Sequence, residues 1–562
     1  MPARTKTTDE YRTVVVGGAY LVKGLLQRLR VVEAIDRALT HQPDIDASYG
    51  QLAQVVITNR LTFTPMPLVH LAAWAAEHGL DQVFGLEAAW LDDDRLGAML
   101  DGLAEHQVEI WSAVLPRAVE RFQVELSELH GDTTSVYFEG AYEDAAGHPL
   151  GGGERVPLMV EGYNKDGQRH KAQIVLSLIT SGRVPVWYTP WDGNQTDDAV
   201  YLADLSGLRQ TLLAPENAVL IGDRKLCNQA TLLSFCRQPQ RFLGAHPWTD
   251  TAKAAWAETH SHLEVGALHW RTVGYVSQND AGKPEAERPV YRVCEVGRDL
   301  PDPETGELYP LRWVFCHSST KAAQDARQRE QALATGEQAL RRIAGLMGKY
   351  DYTRRATIEL RLEQALRKAQ ARPYFSYTLL GTEDAGDFGL RWRRLPKAIH
   401  EAEVFDGVAL LCTNVPASVW SAETVMIKYK QQVGIEQVID FIKSPVQIRP
   451  MWLHQPKRLA GLTLLIMLAV LVAALLELQV RRWLAKQGRS LQGLRPGKRR
   501  TNLPTAEALL GAFTDYALVI VRHQRGPEEV HLPKLKPLQQ QIWNMLQLPP
   551  IAALTPAGGS GK

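Results

Sequence analysis

Residues 459–476 read LAGLTLLIMLAVLVAALL, eighteen positions without a charge, set between Lys457-Arg458 and Glu477. A run of that kind has two homes. One is the interior of a large protein, where a helix is covered on every side. The other is a bilayer, whose lower length limit it just meets. We expect the interior. The run is solitary in 562 residues, and the composition (45% apolar, 22% charged) is one that builds a globular core. Arg481 and Arg482 further along suit a helix C-terminus, where cations meet the dipole. No membrane partner is expected.

Charge is balanced overall, 63 Lys+Arg against 62 Asp+Glu, but it is segregated. Residues 91–150 hold 13 acids and 3 bases, whereas residues 441–500 hold 12 bases and one acid. The second stretch is electropositive and suits phosphate. The five cysteines (Cys227, Cys236, Cys294, Cys316, Cys412) form no CxxC pair. A disulfide scaffold or a cysteine zinc site is therefore not expected, and a reducing cytoplasm fits. The N-terminus does not read as a secretory signal. No GxSxG occurs, and no phosphate-loop GK[ST] follows Gly151-Gly152-Gly153.

The texture changes along the chain. Residues 1–125 carry apolar positions at three- and four-residue spacing and predict helices, with Asp92-Asp93-Asp94 as an acidic helix start. From 126, HGDTTSVYF, QIVLSLIT (173–180), VPVWYTP (184–190), AVLIGD (218–223) and RFLGAH (241–246) read as strands. Ser181-Gly182-Arg183 predicts a hairpin turn. The order β-β-β-α-β-α-β predicts a mixed sheet with helices on its faces. Residues 251–405 read as three strands and then a long charged helical region. At 408–415 a strand returns, followed by a helix over 421–443. Residues 486–562 are basic and end in GGSGK.

Two acids stand where a sheet edge would present them: Asp132 in HGDTTSVYF, and Asp223 at the end of AVLIGD. A third stands in YKQQVGIEQVIDFIK. There Tyr429, Gln432, Glu436 and Lys443 occupy relative positions 0, 3, 7 and 14, which share one face of a continuous helix. Asp440, one turn beyond Glu436, is a rival third acid. Each alone has an ordinary structural explanation as a turn former, a helix cap or a solvated face.

Taken together the residues resemble the DDE transposases of bacterial insertion sequences, in the group whose signature around the last acid is Y-(2)-R-(3)-E-(6)-K. TNV at 413–415 precedes the match and KSPVQIRPMWLH at 443–454 follows it. Upstream, GYNKDGQRHKAQIVLSL, PWDGNQTDD and VLIGDRKLCN resemble further segments of the group, in the same order. Gln432 stands where the group has arginine, so the charge and the bidentate fork are missing there. Lys428 and Lys430 are the nearest cations.

The resemblance implies an α/β chain: an RNase H-like mixed-sheet catalytic core interrupted by a β-rich insertion domain, with a helical N-terminal domain. The expected divisions are 1–125 (helical, the candidate for binding DNA ends), 126–250 (core, first part), 251–405 (insertion), 406–485 (core, second part) and 486–562 (basic C-terminal region). Asp132, Asp223 and Glu436 are then expected to be catalytic and to hold two Mg²⁺ ions, with Mn²⁺ able to substitute. Tyr429, Lys430, Gln432, Lys443, Arg449, Lys457 and Arg458 are the expected DNA contacts.

Trp248, Trp270 and Trp313 are available for stacking on an unpaired base, although core packing is the commoner use of tryptophan. The expected partners are double-stranded DNA, as the element's terminal inverted repeats and its target, and a second copy of the chain. The expected place is the bacterial cytoplasm, on the nucleoid. The expected activity is metal-dependent cleavage at the element's ends followed by 3′-hydroxyl strand transfer. Two other readings stay open: a catalytically impaired, transposase-derived DNA-binding protein, and a metal-dependent nuclease without strand transfer.

Overall fold

The computed structural model describes residues 10–39, 47–62, 65–137, 156–162, 170–195, 200–211, 217–238, 240–277, 280–383, 386–443, 455–494, 497, 499–523 and 529–556. The chain is mixed α/β and forms two compact units, one from residues 1–225 and 431–562, the other from residues 226–430.

In chain order, the first unit opens with β1 (Glu10–Val15), α1 (Ala19–Leu29), α2 (Val31–Ala38), α3 (Tyr49–Leu61), α4 (Leu71–Glu77), α5 (Leu80–Phe84), α6 (Asp93–Glu105) and α7 (Gln107–Phe122). Asp92 caps α6, accepting a bond from the Arg95 amide, as its acidic cluster predicts. Strands β2 (Glu128–Tyr137), β3 (Gln173–Ser181) and β4 (Val184–Trp191) follow, then α8 (Val200–Thr211) and β5 (Val219–Gly222). The sheet order is β4-β3-β2-β5. Strand β3 runs antiparallel to β2 and β4, and β5 runs parallel to β2, so the sheet is mixed. Gly182, in the left-handed region, turns the β3–β4 hairpin.

The second unit holds β6 (Arg241–Ala245), β7 (Arg271–Val273), β8 (Tyr291–Pro301), β9 (Leu308–Ser318), β10 (Phe375–Leu380), β11 (Gly389–Arg394) and β12 (Val408–Thr413). Its helices are α9 (Gln229–Arg237), α10 (Asp250–Glu264), α11 (Ser319–Leu346), α12 (Arg355–Lys368), α13 (Pro396–Glu403) and α14 (Ala422–Lys430). An antiparallel sheet of order β6-β12-β9-β8-β7 forms its body. The sequence placed changes of texture near 250 and 405. In the structure β6 and β12 pair with each other, and β12 pairs with β9, so both strands assemble with 226–430. Strands β10 and β11 follow the charged helical stretch, at positions for which the sequence pattern predicts no strand. They form a hairpin whose Phe375 joins Leu333, Leu340, Ile358, Leu362 and Leu366 of α11 and α12 in a core of their own.

The first unit resumes with α15 (Val433–Lys443), α16 (Pro456–Gln487), β13 (Leu491–Gln492), β14 (Arg500–Thr501), α17 (Ala506–Gly511), β15 (Ala517–Arg522), β16 (Glu529–His531), α18 (Pro537–Leu546) and α19 (Ile551–Leu554). Strand β1, in a stretch expected to be helical, pairs antiparallel with β15.

The uncharged run lies inside α16, whose most apolar 18-residue window is wholly buried within the protein. It packs on α3, α6, α7, β4, α15, α17 and α18. Each leucine covered in this way contributes about 1.5–3 kcal/mol. Helix α6 comes so close at Gly461 that a Cβ there would overlap the Leu100 carbonyl. All five cysteines are free thiols.

Candidate functional site

The parallel pairing of β2 and β5 sets two of the predicted acids side by side. Its register runs Glu128–Val219, Leu129–Leu220 and His130–Ile221. Asp132 and Asp223 each follow by two residues the last of these pairs, so both acids lie just past it on neighbouring chain segments. Asp132 is half-buried while Leu129 to Gly131 and Thr133 to Val136 are buried. Its Oδ1 accepts the Thr133 amide at 2.7 Å.

A residue not foreseen from the sequence ties this corner together. The Tyr201 hydroxyl, on α8, donates to Asp223 Oδ1 at 2.8 Å, and the Lys225 amide donates to the same oxygen at 3.0 Å. The Tyr201 ring lies against Gly131, where a Cβ would come within 2.9 Å of it. Glycine beside Asp132 is what admits the ring. Burial, and then the nearby charges of Asp223 and Asp132, push the Tyr201 hydroxyl well above its ordinary range, so it stays a donor. The signal available in the sequence was a glycine immediately before a candidate acid on a strand.

Glu436 arrives from far along the chain, in the first turn of α15, a helix that packs on β2 and β3. Gly434 sets the docking: a Cβ there would come within 2.7 Å of the Gly182 carbonyl on the β3–β4 turn. Partial burial raises the Glu436 carboxyl above its usual range, and the charges of Asp132 and Asp440 raise it further. The structure therefore brings Asp132, Asp223 and Glu436 into one neighbourhood of the first unit, with Asp440 at its margin. Among the described residues, no three His, Cys, Asp or Glu side chains are already gathered as a metal-ligand set.

The helix read over 421–443 is two helices. Helix α14 ends at Lys430 and α15 begins at Val433, and the turn is closed by the bonds Gly434 N–Gln431 O and Ile435 N–Gln432 O, both 3.1 Å. Tyr429, Gln432, Glu436 and Lys443 therefore do not share one helix face. Gln432 is buried in the turn, and Lys443 closes α15. In the second unit, Lys430 lies over the Tyr291 ring at 5.2 Å and Lys428 over Trp420 at 5.9 Å.

Lys457 and Arg458 are turned inward onto α6, where Lys457 pairs with Glu105, and Arg458 with Asp101 at 3.2 Å. The Arg458 guanidinium lies flat over Gly97, within 2.6 Å of where a Cβ would be. Arg449 falls outside the described residues, as does most of 443–454.

Other segments of the resemblance have structural roles. Thr413 Oγ1 donates to the Phe242 carbonyl, Asn414 Nδ2 donates to the Gln240 carbonyl at 2.8 Å, and the Phe242 amide donates to Asn414 Oδ1 at 2.9 Å. The TNV run thus fastens β12 to β6. Gly162 and Gly193, from the GYNKDG and DGN segments, lie in close apposition. Trp313 is buried, while Trp248 stacks on Phe315 at 6.3 Å and Trp270 packs on Trp256 at 6.0 Å, so the three tryptophans serve the core of the second unit.

Residues 14–114 match a family described as "Domain of unknown function (DUF4277)". No curated protein matches the chain. Among solved structures, a piggyBac transposase synaptic complex with hairpin DNA aligns at 9% identity and a TM-score of 0.37, over 99% of this chain and 89% of that one. A pre-cleavage Mos1 transpososome aligns at 11% identity and a TM-score of 0.14, over 41% of this chain and 67% of that one. Neither value is that of a shared fold.

Proposed function

We propose that this protein is a DNA transposase of the DDE type. It would cleave DNA at the ends of an insertion element and transfer the freed 3′-hydroxyl into target DNA, from an RNase H-like core within the first unit. One observation carries the reading: Glu436, 213 residues beyond Asp223 in the chain, lies near enough to Asp132 to feel its charge, and Asp132 and Asp223 each follow by two residues the last paired positions of β2 and β5. That is the convergence the sequence resemblance requires.

The donor chemistry fits a hard divalent cation. All three groups are carboxylates, and the charge of Asp132 that acts on Glu436 is one a bound cation would offset. Asp132, Asp223 and Glu436 would hold the metal. Two divalent ions there would supply an activated water and a stabilised leaving oxygen. Tyr201 and the Lys225 amide fix the Asp223 carboxylate from behind, which is the support a metal-binding acid needs. Lys443, seven residues from Glu436 and so on the same side of α15, is placed to meet a phosphate. Lys457 and Arg458 hold α16 to α6 and drop out of this reading as DNA contacts.

The test is cleavage of a duplex carrying the element's own end, with Mg²⁺ or Mn²⁺. Asp132→Asn, Asp223→Asn and Glu436→Gln should each abolish cleavage and leave duplex binding intact. Full cleavage by Glu436→Gln would remove the third acid. Cleavage without any joined donor–target product would favour a nuclease, and binding without cleavage a repressor-like descendant.

A further inference from the structure

Between Glu477 and Glu507 the sequence holds eight arginines and lysines and no acid. Two of them are used within the first unit. Arg481 pairs with buried Glu477 at 2.9 Å, and Arg482 donates to the Phe122 and Gln123 carbonyls. Lys486, Arg489, Arg499 and Arg500 are exposed and, among the described residues, make no ion pair or side-chain hydrogen bond. This contrasts with Lys457, Arg458 and Lys536, each of which faces a carboxylate. Arg489 and Arg500 open onto a cleft of about 660 Å³ between the end of α16, the β13–β14 ribbon and the start of α18. Ser490, Gln492 and Gln541 add neutral hydrogen-bonding groups to its wall.

We propose that this cleft grips the DNA backbone. Like charges left together without counter-charges repel one another, and a polyanion removes that cost. Arginines with serine and glutamine neighbours are the usual makeup of a surface that contacts phosphate without reading bases.

The position also fits. Helix α15, which carries Glu436, meets α16 where Val438 and Phe441 face Val470 to Glu477. The cleft begins at Gly488. At 1.5 Å per residue that is roughly 20 Å along the same helix. A duplex rises ~3.4 Å per base pair, so the cleft lies about six base pairs' length along α16 from where α15 meets that helix. This inference rests on the reading of the first unit as a DNA-processing unit.

The experiment is fluorescence anisotropy of a labelled 30-base-pair duplex over a KCl series, with the full-length protein. Arg489→Gln/Arg500→Gln should weaken binding at low salt and flatten the log–log salt slope by about 1.8, the loss of two phosphate contacts. Arg489→Lys/Arg500→Lys should keep the slope, which separates charge from damage to the fold. The Glu436→Gln variant should bind with the wild-type slope. An unchanged slope in the Gln/Gln variant overturns the cleft while leaving the DNA reading standing. Failure of the wild-type protein to bind any duplex overturns both. Binding to anionic phosphatidylglycerol vesicles that is lost in the Gln/Gln variant, with DNA binding unchanged, overturns the choice of DNA.

Discussion

The Tyr201 hydroxyl donates to Asp223 Oδ1 at 2.8 Å, and its ring fills the space that Gly131 leaves open beside Asp132. One phenol therefore touches the surroundings of two acids that come from different strands. Burial and both acids hold its proton on, so it keeps the O–H that donates to the Asp223 carboxylate. Tyr201→Phe should lower metal-dependent cleavage roughly 10–100-fold, the usual cost of losing a group that orients a metal ligand. Duplex affinity and the melting temperature should change little. A variant with full cleavage at limiting Mg²⁺ would deny Tyr201 this positioning role.

Asp204, one turn along α8 from Tyr201, is 2% exposed and accepts Thr189 Oγ1 at 2.6 Å. Burial pushes its carboxyl up to about 6, with hydrogen bonds from Ser177, Thr189 and Trp187 opposing. In an unfolded chain the same group titrates near ~3.9. The folded state thus holds this proton more tightly. The contribution is complete below about pH 4 and is lost as pH rises through about 6, by at most about 3 kcal/mol. Chemical denaturation from pH 4 to 8 should show that loss in the wild type, and Asp204→Asn should lack it. Parallel pH profiles for the two proteins would refute the assignment.

Lys457 and Arg458 open α16 at the end where a helix dipole disfavours cations, and Glu105 and Asp101 supply the compensating charge. Lys457→Ala/Arg458→Ala should cost about 1 kcal/mol in urea denaturation, since both pairs are partly solvated. Duplex affinity should stay at the wild-type value. A large drop in affinity with stability unchanged would return these residues to the DNA contacts expected from the sequence.

Gly461→Ala sets two effects against each other. Alanine improves helix propensity by about 1 kcal/mol. The new methyl group would collide with the Leu100 carbonyl of α6, an overpacking cost of about 1–3 kcal/mol or more because backbone must yield. Clear destabilisation is expected in thermal melting. A stabilised variant would refute close packing of α6 on α16 at Gly461.

Much of the local structure was legible from residue pattern alone. Two short apolar runs at 173–180 and 184–190, parted by Ser181-Gly182-Arg183, sufficed for the β3–β4 hairpin, and Asp92 marked the start of α6. An eighteen-residue stretch with no charge left α16 little choice but full burial once the rest of the chain supplied enough apolar surface to cover it. Strand β1 was not legible, because its partner β15 lies some 500 residues away and a single six-residue strand carries too weak a pattern by itself. The two helices α14 and α15 read as one, because the break at 431–432 is made by glutamines, which are acceptable helix formers. Only the approach of Gly434 to the β3–β4 turn shows why the chain must turn there.

The acids divide in the same way. Their identity and spacing, and the missing arginine at Gln432, were fixed in the amino-acid order. Parallel pairing of β2 with β5 and the docking of α15 decided that Asp132, Asp223 and Glu436 share a neighbourhood. Packing also decided which cations stay free. Lys457 and Arg458 look no different from Arg489 and Arg500 in one dimension. The first pair meets carboxylates on α6 and the second meets solvent, because charge is local chemistry but its partner is chosen by the fold.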